Sequence, residues 1–189
     1  MKPTTINTLR TGASAVCTSA ALLFTPMLSG VAMAQDNPQV GSPSLSAVDQ
    51  KFVEVATQSS STEIDTAKLA LKQSSDKDVK SFARHMIVDH TKLTVQLKAA
   101  APKGVKVPKD NTDPAVIQAL QGLKGKAFDE AYIKQVGIEG HQKAVAAFRE
   151  EANTGNNADL KKAAQKALPT IEGHLKMAQD LAAKKGVAQ

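Results

Sequence analysis

Three of the four histidines share one local frame: Ile87-Val88-Asp89-His90, Ile138-Glu139-Gly140-His141 and Ile171-Glu172-Gly173-His174. Imidazole is the donor best suited to zinc, copper, nickel or iron, and a carboxylate beside three of them completes a four-coordinate site. Glu63, on the apolar stripe of a fourth helical segment, supplies that carboxylate. Glu63, His90, His141 and His174 are therefore the candidate ligands of one transition-metal ion. A di-iron centre matches less well. It needs a Glu three residues before His on two helices, and Ile87, Ile138 and Ile171 hold that place. Asp89, Glu139 and Glu172 stand one or two residues before their histidines and point largely away from a shared ion, into solvent or as partners that orient the rings.

The same four residues carry a second, structural reading. A histidine on an apolar helical face is commonly satisfied by a neighbouring side chain or carbonyl. Three of them with Glu63 would then form a buried polar network that fixes helix register. Redox catalysis would need a carboxylate-rich site and a substrate pocket, and the pattern supplies neither, so a non-enzymatic binding or stress-associated role is expected. His85 falls beside its stripe, at the rim. Met86, one turn before His90, reads as core filler rather than a copper ligand.

The elements that must position these residues are helices. Phe52, Ala56, Glu63, Ala67 and Ala70 recur at helical spacing over 46–73. The Ser59-Ser60-Ser61-Thr62 run could restart that helix through a capping box of Ser60 with Glu63, but one continuous helix is favoured. Ser75 with Asp78 predicts a capping box opening a second helix over 76–100. Its stripe is Val79, Phe82, Met86, His90, Leu93 and Leu97. An extended crossover follows over 105–111. Asp113-Pro114 then starts a short helix reaching about Leu123.

A third long helix, 125–153, carries Phe128, Tyr132 and Val136, then Ile138, His141, Val145, Phe148 and Ala152. The shift of stripe predicts a kink or one-residue bulge near Gly137. Asn157 caps a fourth, 158–184, with Leu160, Ala164, Ala167, Ile171, His174, Ala178 and Leu181, and Pro169 should bend it. Short first and last connections force antiparallel hairpins, and the long crossover joins them. The expected fold is all-α: a ferritin-like four-helix bundle with a short helix in the crossover between its second and third helices. From the rise per residue, Glu63 and His90 fall within about 5 Å of one level, and His141 and His174 within about 8 Å.

Composition sets the address. Residues 1–34 read as a cleaved signal peptide, with Lys2 and Arg10 ahead of an apolar run and Ala32-Met33-Ala34 at its end. Residues 35–45 read as a flexible linker and 46–185 as the bundle domain. The one cysteine, Cys17, leaves with the signal, and Ser14-Ala15-Val16 before it lacks the pattern of a lipid anchor. The formal charge of +6 falls to about +4 in the mature chain, with lysines interleaved among acids. With aromatics at 3%, neither base stacking nor a basic groove is available for nucleic acid. No membrane span is expected in the mature chain. A periplasmic protein is expected, compatible with peripheral association at the outer membrane. The sequence names no protein partner and is compatible with an oligomer.

The segment Phe82-Ala83-Arg84-His85-Met86-Ile87-Val88-Asp89-His90-Thr91-Lys92 resembles the signature of exported bacterial proteins grouped as domain of unknown function 4142 (DUF4142). Phe52-Val53, Glu63, Lys103-Gly104-Val105-Lys106-Val107-Pro108, Phe128-Asp129 with Ala131-Tyr132, His141-Gln142 and Leu168-Pro169 with His174-Leu175 extend the resemblance over 47–183. It departs near Gly137, where the spacing from Tyr132 to His141 is about one residue longer than usual, in line with the stripe shift. The resemblance implies a ferritin-like fold and export, and supplies no activity. Members often carry an outer-membrane label, but no alternating strands exist here to build a barrel.

Overall fold

The computed structural model describes residues 45–188. The expected signal peptide, 1–34, and the linker up to residue 44 lie outside the described residues. Helix α1 (Ala47–Gln73) opens on a capping box: Asp49 N–H donates to the Ser46 hydroxyl and Ser46 N–H to the Asp49 carboxylate, each at 3.2 Å. It runs unbroken through Ser59–Thr62. Hydroxyls of that run find partners outside the helix. Ser61 donates to the Lys109 carbonyl at 3.1 Å, and Thr62 accepts from Asp113 N–H at 2.9 Å. The polar run is the berth of the crossover, which Thr112 also fastens to Asp65 at 2.7 Å.

Helix α2 (Lys77–Ala100) corrects one expectation. Its cap is Asp76, not Ser75: the Asp76 carboxylate accepts from Asp78 and Val79 N–H at 2.8 and 3.1 Å. A carboxylate accepts two such bonds at once and also favours the positive helix end, which a serine hydroxyl does not match. Helix α3 (Pro114–Gln121) starts at Asp113 as predicted, with Pro114 in its first turn. The third long helix has three parts in sequence: α4 (Gly125–Ala131), a π-helical segment (Tyr132–Gly140) and α5 (His141–Thr154). The bulge expected near Gly137 is thus spread over nine residues. Wider turns absorb the extra residue and keep both Val136 and Ile138 buried. Helix α6 (Ala158–Lys185) is capped by Asn157, passes through Pro169 and ends at Gly186 with φ of 67°.

Ion pairs and caps define the topology. Asp49, at the start of α1, accepts from Asn156 and Asn157 N–H in the α5–α6 turn at 2.9 and 3.1 Å. Lys185, at the end of α6, bonds Asp76 and Asp78 at the start of α2. So α1 lies antiparallel to α5, and α2 antiparallel to α6. Helix α2 and the third helix then run parallel, which only a connection spanning the bundle's length can achieve. The result is a ferritin-like four-helix bundle with one long crossover.

The core has two apolar layers. Phe52, Val53, Leu93, Leu97, Val145, Phe148, Leu160 and Ile171 belong to the layer at the α1-start end. Val79, Phe82, Met86, Leu120, Phe128, Tyr132, Ile133 and Leu181 belong to the other. Along every long helix the change from one layer to the other falls at the candidate ligand: Glu63, His90, His141 and His174. Each fully buried aliphatic or aromatic residue contributes roughly 1.5–3 kcal/mol. The two apolar layers therefore hold the helices together, and the polar layer is carried between them.

Candidate metal centre

All four residues predicted from the sequence are buried: His90 is 0%, His141 1%, Glu63 2% and His174 2% exposed. One ligand nitrogen from each of His90, His141 and His174 lies within 4.8 Å of the other two. The ring centroids are 5.3 to 5.7 Å apart. Each ring uses its two nitrogens differently. His90 Nδ1 meets the Ser60 hydroxyl at 3.3 Å. His141 Nδ1 meets the Val136 carbonyl and Glu63 Oε1, both at 3.2 Å. His174 Nε2 meets Asp89 Oδ2 at 3.0 Å. The second nitrogen of each ring, His90 Nε2, His141 Nε2 and His174 Nδ1, is buried without a protein partner.

The π-helical segment takes part in this. The Val136 carbonyl, in the π-helical segment five residues before His141, meets the His141 ring, and the His141 N–H bonds the Ile138 carbonyl. Gly137 lets the segment approach α6: a Cβ there would stand 3.0 Å from the Ala178 Cβ. The insertion that disturbs the apolar stripe is thus what turns His141 inward. Sequence reasoning placed Ser60 only as a capping candidate, and left Asp89 between solvent and an orienting role. Asp89 does orient a ring, but that of His174 on α6 rather than of its neighbour His90. Glu139 is exposed, and Glu172 pairs with Arg149 at 2.6 Å. His85 is exposed with Nδ1 on the Ser81 carbonyl, and Met86 is core, both as expected.

Burial decides the charges. It pushes His90 well below the usual imidazole range, helped by the two other rings. It lowers His141 to about 4, against the pull of the Val136 and Gly137 backbone. It also lowers His174, against the raising effect of Asp89. Glu63 is pushed well above the usual carboxylate range by the same loss of solvent. Burial thus opposes charge on both partners of the Glu63–His141 contact. Tyr132, whose hydroxyl is buried without a protein partner, is raised by burial and by Glu63.

The rings are held by Ser60, by Val136 with Glu63, and by Asp89, each with one nitrogen left without a protein partner. That is the arrangement of a metal-binding three-histidine set, in which each ring's other N–H is held by an oxygen. A di-iron site does not fit, since Ile87, Ile138 and Ile171 occupy the positions where carboxylates are needed.

Comparison with known proteins bears on lineage and fold. The family described as Domain of unknown function (DUF4142) matches residues 34–181. The chain belongs to the DUF4142 family. A protein from Streptomyces coelicolor described as a secreted DUF305 protein has a similar structure, with a TM-score of 0.59 at 17% identity, over 75% of this chain and 96% of that one. At that identity the likeness speaks to fold alone. No curated protein matches the chain. Among the described residues of this DUF4142 protein, no helix is long and apolar enough to cross a membrane.

Proposed function

We propose that this DUF4142 protein is an exported, non-enzymatic bundle that binds one divalent transition-metal ion at His90, His141 and His174. One observation supports this above the others: three converging imidazoles, each oriented by an oxygen on one nitrogen and lacking a protein partner on the other. Ligand nitrogens already within 4.8 Å of one another need to close only modestly to meet one ion, because tetrahedral ligands at about 2.0–2.1 Å stand about 3.3 Å apart. Asp89 behind His174 and Glu63 behind His141, once the metal displaces the Glu63 proton, balance a charge of two. Glu63 acts there through His141. An all-nitrogen set suits zinc, copper or nickel in the divalent state better than magnesium or calcium. The signal-like 1–34 segment supports export to the periplasm.

The competing reading, a network that only fixes register, draws on the same outward bonds. It leaves the three inward nitrogens facing one another. The two separate on metal content. Untagged protein purified from its native compartment is expected to carry one equivalent of metal, lost in His90→Ala. Metal-free wild-type protein that also binds none on titration with zinc, copper or nickel would overturn the proposal.

A further inference from the structure

A site this deeply buried needs a route in, and the route below rests on the metal reading just given. Two cavities end on residues that touch the histidines. One, of about 20 Å³, reaches Ser60, but its walls are Phe52, Leu93, Leu97 and Phe148. It holds little more than a single water, too small for a hydrated ion. The other, of about 130 Å³, lies between α1, α3 and the third helix and reaches Glu63. It has room for an ion with several of its waters. Oxygen-bearing side chains on one side of it, Gln58, Ser59, Thr62, Asp113 and Gln135, face apolar walls from Val55, Val116, Val136 and Ala144, with Lys143 also in the lining.

Glu63 is the end of that path. Its Oε1 touches His141, while Oε2 is buried without a protein partner. Gly140 lies beside that end of the path, where an added Cβ would come into van der Waals contact with Glu63 Oε1 at 3.6 Å. Hard oxygen ligands hold a hydrated divalent ion loosely, whereas converging imidazoles hold a transition metal tightly, so transfer runs from the first to the second.

We propose that this larger pocket is the metal's entry path, and that Glu63 takes the incoming cation before the three histidines do. Glu63 is then a transit ligand rather than a permanent one, and the pocket governs rates without setting affinity.

Stopped-flow mixing of chelator-stripped full-length protein with cobalt(II) or zinc(II) tests this. Val116→Trp fills the pocket and replaces none of the three histidines. It is expected to slow loading and chelator-driven release at least tenfold while leaving one equivalent bound at unchanged affinity. Gly140→Ala, whose Cβ makes only ordinary contacts, keeps the fold and should slow both rates severalfold. Glu63→Gln should slow loading at unchanged stoichiometry. Wild-type rates in both pocket variants would overturn the route. Wild-type protein that takes up no metal would instead overturn the function on which the route rests.

Discussion

The bundle buries polar groups in two places, and they are built in opposite ways. At mid-height, four helices each contribute one titratable residue, and every ring is held from behind by an oxygen. At the α1-start end, Glu151 is fully buried beside Asp49, and neither Glu151 oxygen has a hydrogen-bond partner. Asp49 is held below the usual carboxylate range: burial works to raise it, but bonds from Ser46, Asn157 and Asn156 outweigh that. Glu151 has no such donors, and burial with the Asp49 charge raises it to about 7. A Cβ at position 155 would overlap the Glu151 carboxyl, so Gly155 admits it to the turn. The centre collects lone pairs that suit a cation. The end collects one acid that suits a proton, and it serves the turn alone.

The two regions respond oppositely to pH in metal-free protein. A histidine whose folded pKa is lowered binds fewer protons folded than unfolded, so stability falls as pH drops below 6.5 toward the folded value, about 4 for His141. Glu151, raised from 4.5 to about 7, binds more protons folded. Its contribution is present below 4.5 and lost as pH rises through 7.

Metal gives the largest separation of the two regions. At a thousandfold excess over Kd, zinc or cobalt should raise the unfolding free energy by about 4 kcal/mol, measured by urea titration with and without chelator. Glu151→Gln should keep the full increment, and an equal loss in that variant would break the distinction. The next effect is on affinity. Asp89→Asn withdraws the carboxylate from His174, and metal binding should weaken about 10- to 100-fold in competition titrations. Asp49→Asn, which unties the turn, should leave that affinity unchanged. The smallest effect is on the acid. Glu151→Gln should stabilise metal-free protein by on the order of 1 kcal/mol above pH 7, where the wild-type acid must ionise in the fold. In the wild type Glu151 offsets part of the histidine slope between about pH 4.5 and 6.5. The variant should show a steeper rise of stability with pH over that range, and an unchanged slope would contradict the assignment.

The fold was readable because helical periodicity is local. Val79, Phe82, Met86, Leu93 and Leu97 mark one face of α2 whatever lies opposite. The candidate ligands were readable for a related reason: each sits on such a face at mid-length. The partners behind the rings were not. Whether Asp89 serves His90 or His174 depends on the rotation of α2 against α6, and no spacing within one helix encodes it. Ser60 looked like a weak point in α1 until its hydroxyl met His90. The stripe shift at Gly137 announced an irregularity, but nine residues of π-helix and the carbonyl that meets His141 depend on packing against α6.

By itself, then, the chain's sequence determined four amphipathic helices, their hairpin order and the depth at which Glu63, His90, His141 and His174 lie, because these follow from residue spacing and connection length. Only the tertiary structure decided which nitrogen of each ring faces the centre. That choice is made by oxygens on other elements, Ser60, Asp89 and Glu63, and by the Val136 carbonyl. Their positions are set when the two apolar layers lock the helices in rotation.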